Sequence, residues 1–515
     1  MKPILILGAG INGASLAREL VLHRRDVVVV DSDDIASGTT AYSSRLIHGG
    51  LRYLEYADTA LVRESLDERA RLLKLAPDFV RPLEFQIPVE RRLGGFFDAL
   101  GKLFLGGKYR AKSKRGEWLV RAGLWFYDFF AGQSLPKSRT ETIAGRRRAD
   151  LAPRYTKLCT YFDGQMPYPE QFAVSLLADA RQAAAEQGTK FEVLTYRNVA
   201  IEGAEVVVTD TLDEAAPIRF EPAAVVNASG PWGDATLAGL KLADKQLIGG
   251  TKGSHIVIFR DDLRAALTTG DGTAAATRDA AIYAEAADGR PVFILPFAAA
   301  ERNNGVLIGT TDLPYQGNPR DAVATDAELD YLIGLANDVL PGIGLTRGDV
   351  ALHYAGVRPL PYVDASTPAA ISRRHAVVPR QGAPWPTWTL VGGKLTTCRA
   401  LAEDAAAVVL RKLEPDQIPR RLPVSRERPI PPVIGYAADR EAVRNVIRTL
   451  WVRRLEDLVE RRLMLLFART LSRTKLEELA DLLIGEAKLR ATERDEAIER
   501  TIKRLRDHFG RTVDP

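Results

Sequence analysis

The chain begins with an apolar segment that runs directly into a glycine-rich turn. Residues 3–8 read PILILG, and residues 8–13, GAGING, match the pattern GxGxxG. Helical spacing over residues 14–22 and a valine-rich segment over residues 26–31 predict that a helix and a second strand follow, which completes a βαβ unit. In such a unit the glycines permit a tight turn, a close approach of the backbone to a pyrophosphate, and close packing of helix on strand. The sequence therefore predicts a dinucleotide site at its start.

The turn and the second strand supply contacts for the adenosine half of a dinucleotide. We assign Gly8, Gly10, Asn12 and Gly13 to the pyrophosphate, which the N-terminus of the helix would face. Asp31 ends the second predicted strand, where a carboxylate can accept hydrogen bonds from ribose hydroxyls and would repel a 2′-phosphate. A glycine turn without a ligand is the alternative interpretation. FAD and NAD fit these residues equally well.

A second polar segment favours FAD over NAD. Residues 39–55 read TTAYSSRLIHGGLRYLE, which is dense in hydroxyl groups and glycines. Gly49 and Gly50 allow the backbone to approach a flat ring. Four small side chains can bond phosphates, namely Thr39, Thr40, Ser43 and Ser44. Because a nicotinamide enzyme usually lacks such a segment, we expect FAD.

The bulk composition narrows the class of protein. A length of 515 residues predicts two or three domains, and 46% hydrophobic with 27% charged residues is typical of globular chains. The net charge of +5 is too small to indicate a nucleic-acid partner, so we expect none. With two cysteines, no leader-like N-terminus and no long apolar run, the sequence predicts a cytoplasmic protein without a spanning helix.

Six motifs resemble one flavoprotein family when they are taken together and in order. They read SSRLIHGGLRYLE, VNASGPW, KGSHIVI, IGTTD, YAGVRPL and GGKLTT, and the resemblance, to flavin-dependent glycerol-3-phosphate dehydrogenases, spans about residues 3–410. The family is similar to D-amino-acid oxidase. The resemblance implies oxidation of sn-glycerol 3-phosphate to dihydroxyacetone phosphate, hydride transfer to flavin N5, and electron transfer to a membrane quinone. We also assign to the FAD site Leu46, Val199, Ala228, Gly230, Gly393, Leu395 and Thr396.

The order of predicted elements gives an α/β fold with three parts. These are a Rossmann-like FAD-binding domain, an antiparallel-sheet substrate domain and an all-helical C-terminal domain. The segment WVRRLEDL near Trp451 also resembles the C-terminal domain of that family. We expect the FAD-binding domain to comprise residues 1–90, 146–245 and 356–415, and the substrate domain residues 246–355 with an insert at 91–145. A linker at 416–435 and a helical cap at 436–515 follow.

The substrate implied by the resemblance requires cations for its phosphate and a proton acceptor for its alcohol. We assign Arg358 and Arg373 to substrate oxygens, although Arg374 could replace Arg373, and a solvated ion pair is the alternative for any arginine. Arg52 and Tyr53 are weaker candidates for the same role. His255 is the leading general base, and His48 touches either substrate or flavin; these two assignments compete with a structural role.

The turn before the last strand-to-helix junction predicts an anion site. Lys394 follows two glycines, and Thr396 or Thr397 can cap the helix predicted at residues 398–413. Aimed at the flavin pyrimidine edge, this helix start and Lys394 would stabilise the negative charge of reduced flavin. An ordinary helix start with a surface lysine is the alternative.

A basic, aromatic stretch indicates contact with a membrane surface. Phe96, Phe97 and Phe104 precede five cations within residues 108–115, and further rings follow at Trp118, Trp125, Phe126, Phe129 and Phe130. A domain core with a solvated loop is an equal alternative. Since residues 94–116 depart from the family pattern, the resemblance assigns them no role. The stretch is consistent with a peripheral protein on the inner face of the cell membrane.

Other functions stay open at this stage. The same residues are compatible with an oxidase that passes electrons from glycerol 3-phosphate to oxygen, or with an amine or amino-acid oxidase of the same superfamily. A flavin-binding scaffold without activity is the non-enzymatic alternative. The sequence leaves open the oligomeric state and whether the flavin is covalently held.

Overall fold

A computed structural model gives the architecture of most of the chain. It describes residues 2–50, 59–90, 117–131, 135–143, 150–243, 245–269, 278–286, 290–298, 304–362, 374–415, 424–434 and 439–515. Three predicted site residues, Arg52, Tyr53 and Arg373, lie outside these ranges, as do residues 91–116 of the predicted insert.

The strands of the described part of the chain are between 2 and 12 residues long. In chain order they are β1 Ile4–Leu7, β2 Val27–Val30, β3 Leu46–Ile47, β4 Arg81–Val89, β5 Arg139–Thr142, β6 Lys157–Gln165, β7 Phe191–Leu194, β8 Arg197–Glu202, β9 Glu205–Asp210, β10 Ile218–Phe220, β11 Ala224–Asn227, β12 Ile248–Ile258, β13 Thr268–Thr269, β14 Arg278–Glu285, β15 Pro291–Ala298, β16 Asn304–Gly309, β17 Leu313–Pro314, β18 Val350–Pro361, β19 Ala376–Arg380 and β20 Thr387–Val391.

The α-helices alternate with these strands and then close the chain. They are α1 Ile11–Leu22, α2 Thr59–Leu75, α3 Glu117–Ala131, α4 Pro169–Gln187, α5 Gly233–Gly239, α6 Asp261–Ala265, α7 Asp326–Val339, α8 Cys398–Leu413, α9 Val424–Glu427, α10 Arg440–Thr449, α11 Arg473–Gly485 and α12 Arg494–Phe509. None of them is both long and apolar enough to cross a bilayer, as far as the described residues go.

The first sheet confirms the βαβ unit and forms the dinucleotide-type domain. Its six strands run in the order β19, β20, β11, β1, β2, β7, and all neighbours are parallel except β19 and β20. Both faces of this sheet are buried, and the strands are accordingly apolar on both sides. Helices α1, α4 and α8 cover one face, and the antiparallel sheet β8–β10 covers the other. The carboxyl ends of β1, β2 and β11 therefore meet at one edge, where the glycine turn begins.

The second sheet confirms the predicted antiparallel sheet. In the described part of the chain it has eleven strands, which pair antiparallel apart from β4 and β14, which are parallel. The longest pairing joins β12 to β18, from Ile248 opposite Pro361 to Ile258 opposite Val350. On one face Ile256 and other apolar side chains pack against α7. Because successive side chains alternate across a strand, His255 lies on the opposite face.

Two contacts tie later segments of the chain to the first domain. The backbone turns between β7 and β8 at Tyr196, whose φ is +57°. Its hydroxyl donates to Asp457 of the C-terminal helical domain at 2.5 Å. Residues 424–434 of the predicted linker pack on the first domain, where the Ile430 amide donates to Leu75 O at 2.8 Å and Arg428 pairs with Asp179.

A buried carboxylate joins the helical C-terminal domain to the first domain. Asp34, 1% exposed, accepts hydrogen bonds from Arg461 Nε at 2.6 Å and from Arg462 Nη1 and Nη2 at 2.9 and 2.7 Å. Burial alone would raise the pKa of Asp34, but the two guanidinium groups outweigh it and hold this pKa below its ordinary value. The carboxylate is therefore ionised in the folded chain, and it fixes the position of the C-terminal domain.

Asp34→Asn tests this anchor. Removal of the negative charge leaves the buried guanidinium group of Arg462 without its carboxylate partner, while Arg461 keeps Asp457 and Glu460, and we expect a loss of about 3–5 kcal/mol in the free energy of unfolding. Urea unfolding of the full chain measures it. Asp213→Asn is the matched control: Asp213 also pairs with an arginine of the C-terminal domain, Arg453, but its side chain is 70% exposed. Its loss should cost less than about 1 kcal/mol. Equal effects of the two variants would contradict the role of Asp34.

Candidate active site

One cleft of about 560 Å³ lies between the two sheets, at the carboxyl edge of the parallel strands. At one end it is lined by Gly8, Gly10 and Asp31, and at the other by His255 and Arg358. It lies at the position where open α/β sheets bind their ligands. Predicted residues that line the cleft between its ends are Asn12, Thr39, Thr40, Ser43, Ser44, Leu46, His48, Val199, Ala228, Gly230, Gly393, Lys394, Leu395 and Thr396.

The glycine turn shapes the first end of the cleft. α1 starts directly after Gly10, and no side chain of its own caps that start; instead Thr40 Oγ1 accepts a hydrogen bond from the Ile11 amide at 3.0 Å. A Cβ atom at Gly13 would lie 1.9 Å from Gly8 O, so only glycine allows this approach of helix to strand. Gly13 thus shapes the turn from behind without lining the cleft. The helix start is an anion site of the kind that a pyrophosphate occupies.

Asp31 closes the turn and faces the cleft. Its Oδ2 accepts a hydrogen bond from the Ala9 amide at 2.6 Å, and its Oδ1 accepts one from the Asp33 amide at 2.9 Å. Burial raises the pKa of Asp31 to about 7, although both amides act to lower it. Hydrogen bonds donated by ribose hydroxyls would act in the same direction as the two amides and lower the pKa of Asp31, because hydrogen bonds to a carboxylate favour its charged form.

The hydroxyl groups predicted for the phosphates also hold the segment in place. Thr39 Oγ1 donates to Val357 O at 2.7 Å, and Ser43 Oγ accepts from the Arg45 amide at 3.2 Å. Both residues line the cleft. Gly49 and Gly50, which we expected beside a flat ring, are not among the lining residues. The Gly49 amide points the other way and donates to Tyr127 Oη at 3.0 Å.

A second helix start meets the first across the cleft. Gly393 has φ +92°, and a Cβ atom there would lie 2.7 Å from Asn12 Nδ2, so the turn before α8 closes directly on the start of α1. Asn12 Nδ2 donates to Gly392 O at 3.2 Å. The predicted cap is wrong, because Thr397 makes no capping side-chain bond and Thr396 Oγ1 accepts from the His48 amide at 3.1 Å.

Lys394 lines the cleft beside this helix start, and its charge affects the pKa of Glu64. Burial raises the pKa of Glu64, and the positive charges of His375 and Lys394 act against this rise. His375 is itself within 3.7 Å of Glu64 and 3.0 Å of Asp404. The turn therefore combines the positive charge of Lys394, a helix N-terminus and backbone amides on one wall.

His255 lies at the far end of the cleft as a neutral imidazole. Its ring stacks on Tyr354 with centroids 4.9 Å apart, and Nε2 lies 2.9 Å from Ser44 Oγ. Burial first, and then the charges of Arg358 and Arg45, hold the pKa of His255 well below its ordinary value. Nδ1 is buried and has no hydrogen-bond partner among the described residues. The ring can therefore accept a proton at neutral pH.

Arg358 projects into the same end of the cleft from β18. Nη1 donates to Asp312 at 2.9 Å and Nη2 to Thr310 Oγ1 at 3.2 Å, while the side chain stays 26% exposed. A guanidinium group that is oriented in this way and still reachable suits a phosphate or carboxylate ligand.

Sequence reasoning missed the partners of His255. Ser44 was assigned to phosphate, and Tyr354 was not singled out, although it lies in the motif YAGVRPL. Alternation along a strand puts Tyr354 and Arg358 on one face, and this signal was readable. The pairing of His255 opposite Tyr354 was not, because the two residues lie far apart in the chain.

The residues at the two helix starts fit a dinucleotide. Asn12 Oδ1 is buried beside the two helix starts and accepts no hydrogen bond from the described part of the chain, which leaves it available to a ligand donor. No group of three or more metal-binding side chains occurs within that part.

Comparisons with known proteins agree with this geometry. The sequence model of the family "FAD dependent oxidoreductase" matches residues 3–407. A glycerol-3-phosphate dehydrogenase of Synechocystis sp. is 36% identical over 434 residues, which covers 80% of this chain and 70% of that protein. A D-erythritol 1-phosphate dehydrogenase of Brucella abortus is 31% identical over 407 residues, covering 78% and 72%.

One solved structure extends the likeness to the whole fold. It is a glycerol-3-phosphate dehydrogenase from Bacillus halodurans in complex with FAD, with a TM-score of 0.66 over 98% of this chain and 95% of that chain. At 19% sequence identity, this likeness concerns the fold alone.

Proposed function

The chain belongs to the FAD-dependent oxidoreductase family and, within it, to the glycerol-3-phosphate dehydrogenases, and on that premise we propose that it oxidises sn-glycerol 3-phosphate to dihydroxyacetone phosphate. The cofactor is FAD, which when bound accepts a hydride from the carbon of an alcohol. The residues that would hold it are the turn at 8–13, Asp31, the segment from Thr39 to Ser44 and the turn at 392–396.

The observation that carries the proposal is the convergence of a neutral imidazole and a reachable guanidinium group at one end of the cleft. Arg358 binds the phosphate of the substrate in a bidentate manner, because it is oriented by Asp312 and Thr310. His255 accepts the hydroxyl proton while carbon 2 loses its hydride and becomes a carbonyl carbon. Lys394, on the opposite wall of the cleft, would stabilise the negative charge of the reduced flavin.

Ser44 bears on which nitrogen of His255 acts, because its Oγ lies 2.9 Å from Nε2. In the tautomer that we propose, Nε2–H donates to Ser44 Oγ, and Nδ1, which has no hydrogen-bond partner among the described residues, accepts the substrate proton. The stack on Tyr354 keeps the ring plane fixed during the transfer. Because burial and nearby cations keep the ring neutral, this base is ready at pH 7.

A four-carbon polyol phosphate is a second candidate substrate. The relative that acts on D-erythritol 1-phosphate is nearly as similar to this chain as the relative that acts on glycerol 3-phosphate. Both substrates carry a phosphate and a secondary alcohol, so the roles of Arg358 and His255 hold for either one.

Anaerobic reduction of the bound flavin tests the reaction and its substrate together. We expect glycerol 3-phosphate to bleach the flavin absorbance of the purified holoenzyme, since a hydride acceptor and a base are both present. D-erythritol 1-phosphate and a neutral amino acid, added separately, give the comparison. Faster bleaching by erythritol phosphate would assign the second substrate, and bleaching by the amino acid alone would contradict a phosphate-binding site.

Arg358→Ala tests the phosphate contact. Loss of a charged, bidentate hydrogen bond should raise KM for glycerol 3-phosphate by about 10- to 100-fold, while the flavin spectrum stays that of the wild type. Arg347→Ala is the control, because Arg347 precedes the same strand but forms exposed ion pairs with Asp326 and Asp330. Its KM should not change. Loss of bound flavin from Arg358→Ala would argue against the assigned role.

For the electron acceptor we propose a quinone in the membrane, reached by peripheral attachment through α3. Trp125 and Phe129 lie four residues apart on the outer face of this helix, stacked at 6.2 Å and 64% and 70% exposed. Large exposed rings are typical of surfaces that enter the interface between lipid headgroups and acyl chains. The cations at 108–115 that support the same interpretation lie outside the described residues.

Trp125→Ala/Phe129→Ala tests the attachment. Because each ring contributes apolar area, we expect binding to anionic vesicles to weaken about tenfold or more. Reduction of a quinone dissolved in the vesicles should fall with it, whereas reduction of a water-soluble dye should not. Ile218→Ala, an exposed apolar residue on β10, serves as the control. Hydrogen peroxide formed at the rate of substrate oxidation would identify oxygen as the acceptor instead.

A further inference from the structure

Behind the wall of the cleft lies a buried polar cluster that the proposed reaction does not use directly. It consists of Tyr127 on the inner face of α3, Asp163 on β6 and Arg69 on α2, all at most 1% exposed. Tyr127 Oη donates to Asp163 Oδ1 at 2.5 Å and accepts from Arg69 Nη1 at 3.0 Å. Arg69 Nη1 also donates to Asp163 Oδ1 at 2.6 Å. The three groups thus hold one another in a fixed arrangement.

Besides Phe162 O, which accepts from Arg69 Nη1 at 3.1 Å, the cluster holds the backbone of the cofactor segment. The Gly49 amide donates to Tyr127 Oη at 3.0 Å and to Asp163 Oδ1 at 3.2 Å. The preceding amide, that of His48, donates to Thr396 Oγ1 at 3.1 Å. Two successive peptide groups are therefore held from different sides: one by the turn at 392–396 and one by the buried cluster. His48, which lines the cleft, sits at the junction.

A purely structural purpose explains such a cluster poorly. A phenylalanine could fill the space of the Tyr127 ring, and a buried charge pair generally stabilises a fold no better than apolar side chains of similar volume. What the polar groups provide is direction, because a hydrogen bond fixes the Gly49 peptide at a distance and an angle. Active-site groups must be held within a fraction of an ångström, and such supporting contacts supply this precision.

We propose that Tyr127 is a positioning residue for the oxidation: held by Asp163 and Arg69, its hydroxyl fixes the Gly49 peptide and thereby sets His48 against substrate and flavin. The inference rests on the proposed function, and it adds a residue from outside the cleft. It also gives α3 two faces with separate tasks. The outer face carries Trp125 and Phe129, and the inner face carries the hydroxyl that reaches the site.

Tyr127→Phe removes the hydroxyl and keeps the ring. Asp163 still accepts from the Gly49 amide, so we expect a partial effect: the limiting rate of flavin reduction, per bound flavin, falls about three- to tenfold. The dissociation constant of glycerol 3-phosphate should change little. Tyr161→Phe is the matched control, since its ring lies edge-on to Tyr127 at 5.8 Å on the strand of Asp163. It should reduce its flavin at the wild-type rate.

A double-mutant cycle with His48→Asn separates positioning from stability. If Tyr127 acts through His48, Tyr127→Phe slows flavin reduction in the wild-type background and has no further effect in the His48→Asn background. The same fold-change in both backgrounds would overturn the proposal. So would a Tyr127→Phe variant that only loses flavin or lowers the thermal midpoint and keeps the wild-type rate per bound flavin. Failure of glycerol 3-phosphate and D-erythritol 1-phosphate to reduce the wild-type enzyme would instead overturn the proposed function.

Discussion

The pairing of β12 with β18 is the constraint on which the site depends. It runs for almost the whole length of both strands and sets His255 opposite Tyr354 and Arg358 opposite Thr251. Side chains alternate along a strand, so a shift of one residue would turn His255 toward α7 and bring Ser254 or Ile256 into its place. The end of β18 also binds the other domain, because the Gly392 amide donates to Pro359 O at 3.0 Å. One ladder thus aligns the proposed base His255, the proposed phosphate ligand Arg358 and the turn at 392–396.

The C-terminal domain packs against this pair of strands. Phe467 packs edge-on to Tyr354 at 6.1 Å, and the guanidinium group of Arg45 lies 4.4 Å from the Phe467 ring. Arg45 is paired with Glu170 and fully buried. The ring under His255 is therefore held between a cation and a domain that Asp34 anchors. The ion pairs of Asp34 with Arg461 and Arg462 therefore affect the geometry of the cleft through Phe467 and Tyr354.

The sequence predicted the features that local patterns determine, such as helix bounds and glycine turns. It did not predict contacts between residues that lie far apart in the chain. Helix α8 begins and ends at the predicted residues because apolar spacing sets both bounds. The two anion-binding turns were readable from glycines at fixed spacing. Asp34 between Arg461 and Arg462 was not, since more than 400 residues of chain separate the partners. Thr396 was expected to cap a helix, but it accepts a hydrogen bond from the His48 amide, which lies 348 residues away in the chain.

The electrostatics of the cleft link substrate binding to proton transfer. Burial together with Arg358 and Arg45 holds the pKa of His255 well below its ordinary value, which keeps the base neutral but also makes it a weak base. A phosphate dianion bound to Arg358 would offset one of these charges. The pKa of His255 would then rise in the complex, as a nearby negative charge favours an imidazolium. In the proposed reaction, a phosphate bound to Arg358 therefore also strengthens His255 as a base, and it does so only when a substrate with the right charge is in place.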